Sequence, residues 1–327
     1  MSTATKARLN LATPKIQQIA QPGTLAANDD LTLIPWAGSK SAIVQTLVDH
    51  LPNREAVLSG KARYFEPFTG SGALALALLE ISKRERKGKM RAVLGDANHR
   101  LAQFHQAIRD DADGVIRELG RSQFEHSKEN FYAIKAKDRR KAASEDKASA
   151  KAARFQFLVS SCFRGVCRMN KNGDIGVSWG YYAKRSQRLD SQRIQNASAL
   201  LRNAAIRVGD FEESVKDAKA GDVVYLDPPY VPLPGQGQGS FYSIGSVQKD
   251  LQGRIAAVLD DLTDRGVYWM ISNSDTPYVH RLYGKCKSAK VLRIDVPRRF
   301  GERQIVKEVL AFNHPRKPRT SARAKAA

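Results

Sequence analysis

Short apolar runs bounded by turn-forming residues recur along this chain, and several lead into stretches with a helical apolar period. The runs at Arg63–Glu66, Met90–Leu94, Ala205–Val208, Asp222–Leu226 and Val267–Ser272 are β-prone and of strand length, so they read as buried strands. Helical stretches follow three of them, at Ala73–Lys83, His99–Arg109 and Val247–Leu262. An amphipathic stretch at Ala42–Leu51 precedes the first strand, and Ile305–Asn313 reads as a final one. Strands alternating with helices predict an α/β fold whose sheet is of the doubly wound, parallel kind.

The strand signal fades between residues 110 and 204. Arg117–Phe124, Phe131–Arg140 and the Lys/Ala/Ser-rich run Lys141–Arg154 are helix-prone there. Phe155–Tyr182 follows, with Asn172-Gly173 set between Arg168-Met169 and Ile175–Val177, a hairpin-turn signal. The block reads as a mainly helical insertion with one ribbon. The α/β domain is then split into 31–109 and 205–313. Residues 1–30 are rich in Ala, Thr, Gln and Pro, and 314–327 are basic without an acid, so both ends are expected to be disordered tails.

Charge narrows the class of partner. Lysine and arginine total 54 against 33 acids, a net charge of +21. Arg316, Lys317, Arg319, Arg323 and Lys325 in the last segment carry only five of these. A basic body of this size points to a polyanion. The cysteines, Cys162, Cys167 and Cys286, are odd in number and lack ligand-like partners, which argues for a reducing compartment and against a structural metal. With no apolar signal core and no run of membrane length, a cytoplasmic location without membrane contact is expected.

The candidate chemistry sits at strand ends. Val223-Val224-Tyr225-Leu226 runs into Asp227-Pro228-Pro229-Tyr230. Two prolines cannot continue a central strand, so the chain turns at a carboxyl tip, where open α/β sheets bind ligands. A carboxylate, a carbonyl without its usual neighbouring N–H and an aromatic face together suit an exocyclic amino group held flat against a ring. Phe68-Thr69-Gly70-Ser71-Gly72 leads from the first strand into a helix, and its glycines let backbone approach a ligand. It matches neither the phosphate loop nor the dinucleotide fingerprint, and suits a nucleoside-type ligand without phosphates. Asp96, ending the second strand, is placed to accept from ribose hydroxyls or to cap the next helix. Trp36 and Lys40 stand at an earlier helix start, Asp210-Phe211 follow the third strand, and Ser272-Asn273-Ser274-Asp275 end an apolar one.

In their order, Trp-Ala-Gly-Ser-Lys (36–40), Phe-Glu-Pro-Phe-Thr-Gly-Ser-Gly (65–72), Gly-Asp-Ala-Asn (95–98), Cys-Arg-Met-Asn-Lys-Asn-Gly (167–173), Asp-Pro-Pro-Tyr (227–230), Ser-Asn-Ser-Asp (272–275) and Glu-Val-Leu-Ala-Phe-Asn (308–313) make the chain resemble the Dam-type (D12 class) DNA adenine N6-methyltransferases. The resemblance spans roughly Leu31 to Asn313. It implies a Rossmann-like methyltransferase sheet, S-adenosylmethionine as methyl donor and N6 of a flipped-out adenine in double-stranded DNA as acceptor. The helical insertion would be the target-recognition domain. Asp227, Pro228, Pro229 and Tyr230 would be catalytic. Trp36, Lys40, Phe68, Gly70, Gly72, Asp96, Asp210, Phe211 and Asp227 would line the donor pocket. Phe163, Arg164, Arg168 and Asn170 would meet DNA, Arg168 as a guanine reader and Phe163 as a wedge near the flipped base. No metal is implied. A monomer, with a cognate restriction endonuclease as a possible biological partner, is the corresponding expectation.

The chain departs from the family pattern at four places. Pro35 stands where a lysine that reaches a flanking guanine is usual, and Arg164 where a small polar residue is. Ser178 replaces a proline that packs on a thymine methyl, and the loop 231–239 has glycine where an aromatic is expected. The common family target GATC is therefore not implied. Competing readings are a protein glutamine methyltransferase, whose motif is Asn-Pro-Pro-Tyr, a cytosine N4-methyltransferase, which more often has Ser at position 227, and a catalytically inactive DNA-binding module. Asp227 and the basic insertion speak against the first, and the intact Asp-Pro-Pro-Tyr against the last.

Overall fold

The computed structural model describes residues 31–86, 89–140, 145–163, 174–180, 191–233, 246–297 and 305–314. Its strands are β1 (Arg63–Glu66), β2 (Arg91–Asp96), β3 (Ala204–Val208), β4 (Val223–Leu226), β5 (Tyr268–Ser274), β6 (Ala289–Pro297) and β7 (Ile305–Asn313). They form one sheet in the order β3-β2-β1-β4-β5-β7-β6. The first five are mutually parallel, as the apolar runs predicted. The sheet is mixed, however, because β7 pairs antiparallel with β5 and β6 antiparallel with β7. The sequence reading found β7 but not β6, whose buried positions are few and whose Lys290, Arg293 and Asp295 break up an apolar signal.

Helices α1 (Val44–His50), α2 (Arg54–Leu58), α3 (Ala73–Arg84) and α4 (His99–Asp110) belong to the first half of the chain. Between β2 and β3 follow α5 (Ala112–Leu119), α6 (Lys128–Asp138), α7 (Ala148–Ser161) and α8 (Ser191–Leu201). The second half adds α9 (Phe211–Val215), α10 (Ser246–Asp264) and α11 (Pro277–Gly284). Helix α7 continues through Phe155–Ser161, where the sequence reading had placed the start of the ribbon. The Asn172-Gly173 turn lies outside the described residues. On either side of it, Cys162 and Trp179 form an antiparallel bridge, Phe163 donates its N–H to the Ser178 carbonyl at 2.9 Å, and Gly180 donates to Ser161.

Both faces of the sheet are covered, which is why its strands read as unbroken apolar runs. Tyr64, Leu94 and Tyr225 face a core shared with α1, α3 and α4 and with Phe124, Phe131, Phe155 and Phe157 of the helical block. Phe65, Val224, Leu226 and Trp269 face the opposite way, onto α9, α10 and α11. Chain order reverses between β1 and β4, the point where such sheets open a crevice at the carboxyl ends. Register sets Phe65 beside Val224, so the loop after Glu66 lies next to Asp227.

Candidate active site

Asp227 leaves the tip of β4 and meets Lys40 from the 3-10 turn ahead of α1. Lys40 Nζ lies 2.7 Å from Asp227 Oδ2 and donates to the Gly38 carbonyl at 2.8 Å. A lysine only 8% exposed needs such partners, since burying an unpaired charge is costly. The other carboxylate oxygen, Asp227 Oδ1, is buried without a hydrogen-bond partner among the described residues. Burial pushes the Asp227 carboxyl above the ordinary carboxylate range, while Lys40 opposes that rise. Beside it, the buried Glu66 accepts from the Tyr64 hydroxyl at 2.8 Å. Burial raises its pKa to about 8, against the lowering pull of the Tyr64 bond.

The turn after Asp227 is held from three other elements. Gln252 of α10 donates to the Pro229 carbonyl at 3.0 Å, and the Tyr230 hydroxyl donates to Glu308 Oε2 of β7 at 2.8 Å. The Val231 N–H donates to Asn273 Oδ1 at 3.0 Å, and the Val231 carbonyl accepts from Ser274 Oγ at 2.6 Å, both residues being on β5. Asn273 is itself fixed by Gln252 and Tyr283. Among the described residues none donates to the Pro228 carbonyl. Lys40 Nζ lies over the Tyr230 ring, 4.8 Å from its centroid.

The glycine loop adjoins this turn. Gly70 and Gly72 have φ of +52° and +73°, which L side chains rarely adopt. A Cβ on Gly70 would come within 3.2 Å of the Trp36 indole, so Trp36 packs directly on the loop. Asp96 accepts from the Gly70 N–H at 3.1 Å and from the Asn98 N–H at 2.8 Å. Burial raises the Asp96 carboxyl to about 6. Asn98, not Asp96, caps α4, which removes the capping alternative for Asp96. His105, fully buried, bonds the Gly70 carbonyl through Nε2 at 2.9 Å, and burial lowers its pKa.

Phe68 is partly exposed and stacks on the buried Phe211, with ring centroids 5.3 Å apart. Asp210 caps α9 and accepts from Arg254 at 2.8 Å. The structure therefore gathers Lys40, Asp227 and Tyr230 into one contact group, and Trp36, Gly70 and Asp96 into a second beside it. Phe163 is 53% exposed on the helical block. Arg164, Arg168 and Asn170 lie outside the described residues. Glu66, His105, Gln252 and Glu308 were not singled out from the sequence. Glu66 and Glu308 fall inside quoted motifs, but as single acids in strands they carried no signal of their own. Among the described residues no helix is long and apolar enough to cross a membrane.

Comparison with known proteins bears on what this arrangement does. A family model described as the D12 class N6 adenine-specific DNA methyltransferase matches residues 36–299. A type II methyltransferase of Lactococcus lactis subsp. cremoris is 29% identical, over 85% of this chain and 94% of that protein. The type II methyltransferase M.MjaIII of Methanocaldococcus jannaschii is 32% identical, over 79% of this chain and 90% of its own length. The DNA adenine methylase of Escherichia coli K12 is 26% identical, over 86% of this chain and 95% of that protein.

Proposed function

This chain belongs to the D12 class of N6 adenine-specific DNA methyltransferases, and we propose that it moves a methyl group from S-adenosylmethionine to N6 of an adenine flipped out of double-stranded DNA. It is a site-specific adenine DNA methyltransferase; the donor, the state of the DNA and the residue roles are the proposal. With the family established, the glutamine-methyltransferase and cytosine-methyltransferase readings fall away, as does the inactive-module reading. One observation carries the assignment of the reacting groups. Among the described residues, Asp227 has one oxygen tied to Lys40 and one buried oxygen without a hydrogen-bond partner, next to a Pro228 carbonyl to which none donates and the Tyr230 ring.

Adenine N6 is a poor nucleophile because its lone pair is delocalised into the ring. Asp227 Oδ1 and the Pro228 carbonyl each accept one N6–H, which draws the nitrogen toward tetrahedral and frees its lone pair. Lys40 holds Oδ2, which favours the ionised carboxylate against the effect of burial and orients it as positive charge develops on N6, a preorganised electrostatic effect. Tyr230 stacks on the extruded base. Extrusion is required, because N6 is paired and unreachable inside a duplex.

S-adenosylmethionine supplies a methyl group already activated on a sulfonium. Residues beside Asp227 fit such a donor: Gly70 and Gly72 leave backbone open, Trp36 walls the loop, and the half-buried Asp96 can accept from ribose hydroxyls. Phe68, with Phe211 stacked beneath it, and Asp210 would hold the adenine end. Residues 31–109 and 205–313 make up the catalytic domain in this reading, and 110–204 the recognition insertion, with tails at 1–30 and 314–327. Phe163, Arg164, Arg168 and Asn170 meet DNA, with Arg168 reading a guanine edge and Phe163 entering the gap left by the base. The chain acts as a monomer in the cytoplasm. The type II names of two relatives make a cognate restriction endonuclease the partner to seek.

Expression in a methylation-free bacterial host, with single-molecule mapping of modified bases, tests the whole reading. Methylated adenines at one sequence motif are expected. In vitro, labelled methyl from S-adenosylmethionine should enter duplex DNA and not protein or RNA. Label in protein, or loss of all dependence on this donor, would overturn it. Asp227→Ala should abolish transfer while donor affinity stays within a few-fold; substantial turnover by that folded variant removes Asp227 from the chemistry.

A further inference from the structure

Glu308 is an acid of the site that has no part in the proposed transfer itself, yet it holds the Tyr230 hydroxyl. It sits on β7, where antiparallel register pairs it with Ser274 of β5. These neighbours grip consecutive residues of the catalytic turn: Ser274 bonds the Val231 carbonyl, and Glu308 accepts from the Tyr230 hydroxyl. The hydroxyl is the one polar handle on a ring whose face is already approached by Lys40. A carboxylate at that point carries a cost, because the charge of Glu308 opposes ionisation of Asp227. A neutral acceptor would bond the hydroxyl without that repulsion. What the charge adds is a stronger, shorter hydrogen bond, and so a more tightly fixed ring plane.

Resting on the reading that the Asp227–Tyr230 turn receives the target adenine, we infer that Glu308 is a positioning residue for methyl transfer. It acts through the Tyr230 hydroxyl to set the plane on which the adenine stacks. The amino group thereby meets Asp227 Oδ1 and the donor methyl in line. Glu308 touches neither substrate nor donor in this role. Its effect falls on turnover, where small misplacements of reacting atoms are costly.

A double-mutant cycle tests this, with kcat, KM for DNA and donor affinity measured for each protein. Glu308→Ala and Tyr230→Phe should each lower kcat by about tenfold, with donor affinity unchanged within about twofold. The Tyr230 hydroxyl also bonds Asp227, so Tyr230→Phe should be the slower single variant, and the double variant should be no slower than it, since that change already removes the bond Glu308 accepts. Glu308→Gln keeps an acceptor and should restore most of the rate. Having lost the charge, it should also move the acid limb of kcat to lower pH. Losses that multiply in the double variant, or a Glu308→Ala enzyme with wild-type kcat, overturn the inference. If Glu308→Ala does not fold, Glu308→Met, which keeps the volume without an acceptor for the hydroxyl, takes its place in the cycle. Asp227→Ala separates the two levels. An inactive Asp227→Ala beside a multiplying cycle refutes the role of Glu308 alone, whereas an active Asp227→Ala refutes the reading beneath it.

Discussion

Asp227 stands between a lysine that favours its ionised form, Lys40, and an acid that opposes it, Glu308, and that balance together with burial governs its pH behaviour. Burial raises Asp227 and Lys40 lowers it, with burial the larger effect. Turnover, which needs the ionised form, should therefore show an acid limb above the ordinary carboxylate value of about 3.9. Lys40→Met removes the lowering influence, so the limb should move to higher pH; a kcat profile that stays put or moves down contradicts this. Glu66 gives the matching prediction for stability. Its folded pKa, about 8, stands above an unfolded value of 4.5. A raised carboxyl stabilises the fold fully below the unfolded pKa, and the contribution is lost as pH rises through the folded one. Urea unfolding should thus show stability falling between about pH 5 and about pH 8, and Glu66→Gln should flatten that decline. An unchanged slope in the variant removes Glu66 as its source. At this scale the residues proposed to react were legible in the sequence, because Asp227-Pro228-Pro229-Tyr230 is a contiguous string. Their supports were not. Lys40 reaches Asp227 across 187 positions and Tyr230 reaches Glu308 across 78, and no local pattern encodes such pairs.

Elements show the same division between local and non-local information. The parallel strands were legible because burial on both faces leaves them uniformly apolar. Strand β6 was not, since it lies at the sheet edge with alternating exposure and charged positions. Helix α8 buries only Ile194, Ala197, Ser198, Leu200 and Leu201 among polar residues, and α11 buries little beyond Val279 and Tyr283. Neither was singled out, although Ile194, Ala197, Ser198 and Leu201 of α8 stand at helical spacing; both helices are short and lie among polar residues. The glycine loop adopts the left-handed backbone that glycine permits, and its two glycines are not equivalent. Gly70 combines a left-handed φ with an indole 3.2 Å from any added Cβ, while at Gly72 the nearest atoms lie 3.6 Å away. Either alanine variant carries left-handed strain of about 1–2 kcal/mol. Only Gly70→Ala must also displace Trp36. Calorimetric titration with the donor should therefore show a larger affinity loss for Gly70→Ala than for Gly72→Ala. Equal losses would mean that Trp36 does not form part of the pocket.

The whole molecule joins a sheet crevice to a helical block through one continuous core. Phe155 of α7 is a pivot in that arrangement, because its ring lies 6.3 Å from Trp36 and 5.9 Å from Phe104 of α4. A helical block anchored this way carries Phe163, just beyond the end of α7, at a fixed position relative to the Trp36 side of the site. Charge then supplies the attraction. The net +21 exceeds what a protein needs for solubility, and DNA offers one phosphate charge about every 1.7 Å of duplex axis. If five or more phosphates are neutralised, a log–log plot of DNA affinity against salt should have a slope of about −4 or steeper. Base readers behave differently from phosphate lysines. Arg168→Ala should cost about 1–3 kcal/mol and relax preference at one guanine, whereas a phosphate-contacting lysine should weaken all sequences alike. Because Pro35 and Ser178 stand at two positions where the family usually contacts bases, the preferred site should differ from GATC or tolerate variation at its first base and its thymine. Strict and complete GATC methylation in mapped DNA would refute that expectation while leaving the chemistry proposed at Asp227 untouched, because neither Pro35 nor Ser178 belongs to the Asp227–Tyr230 turn.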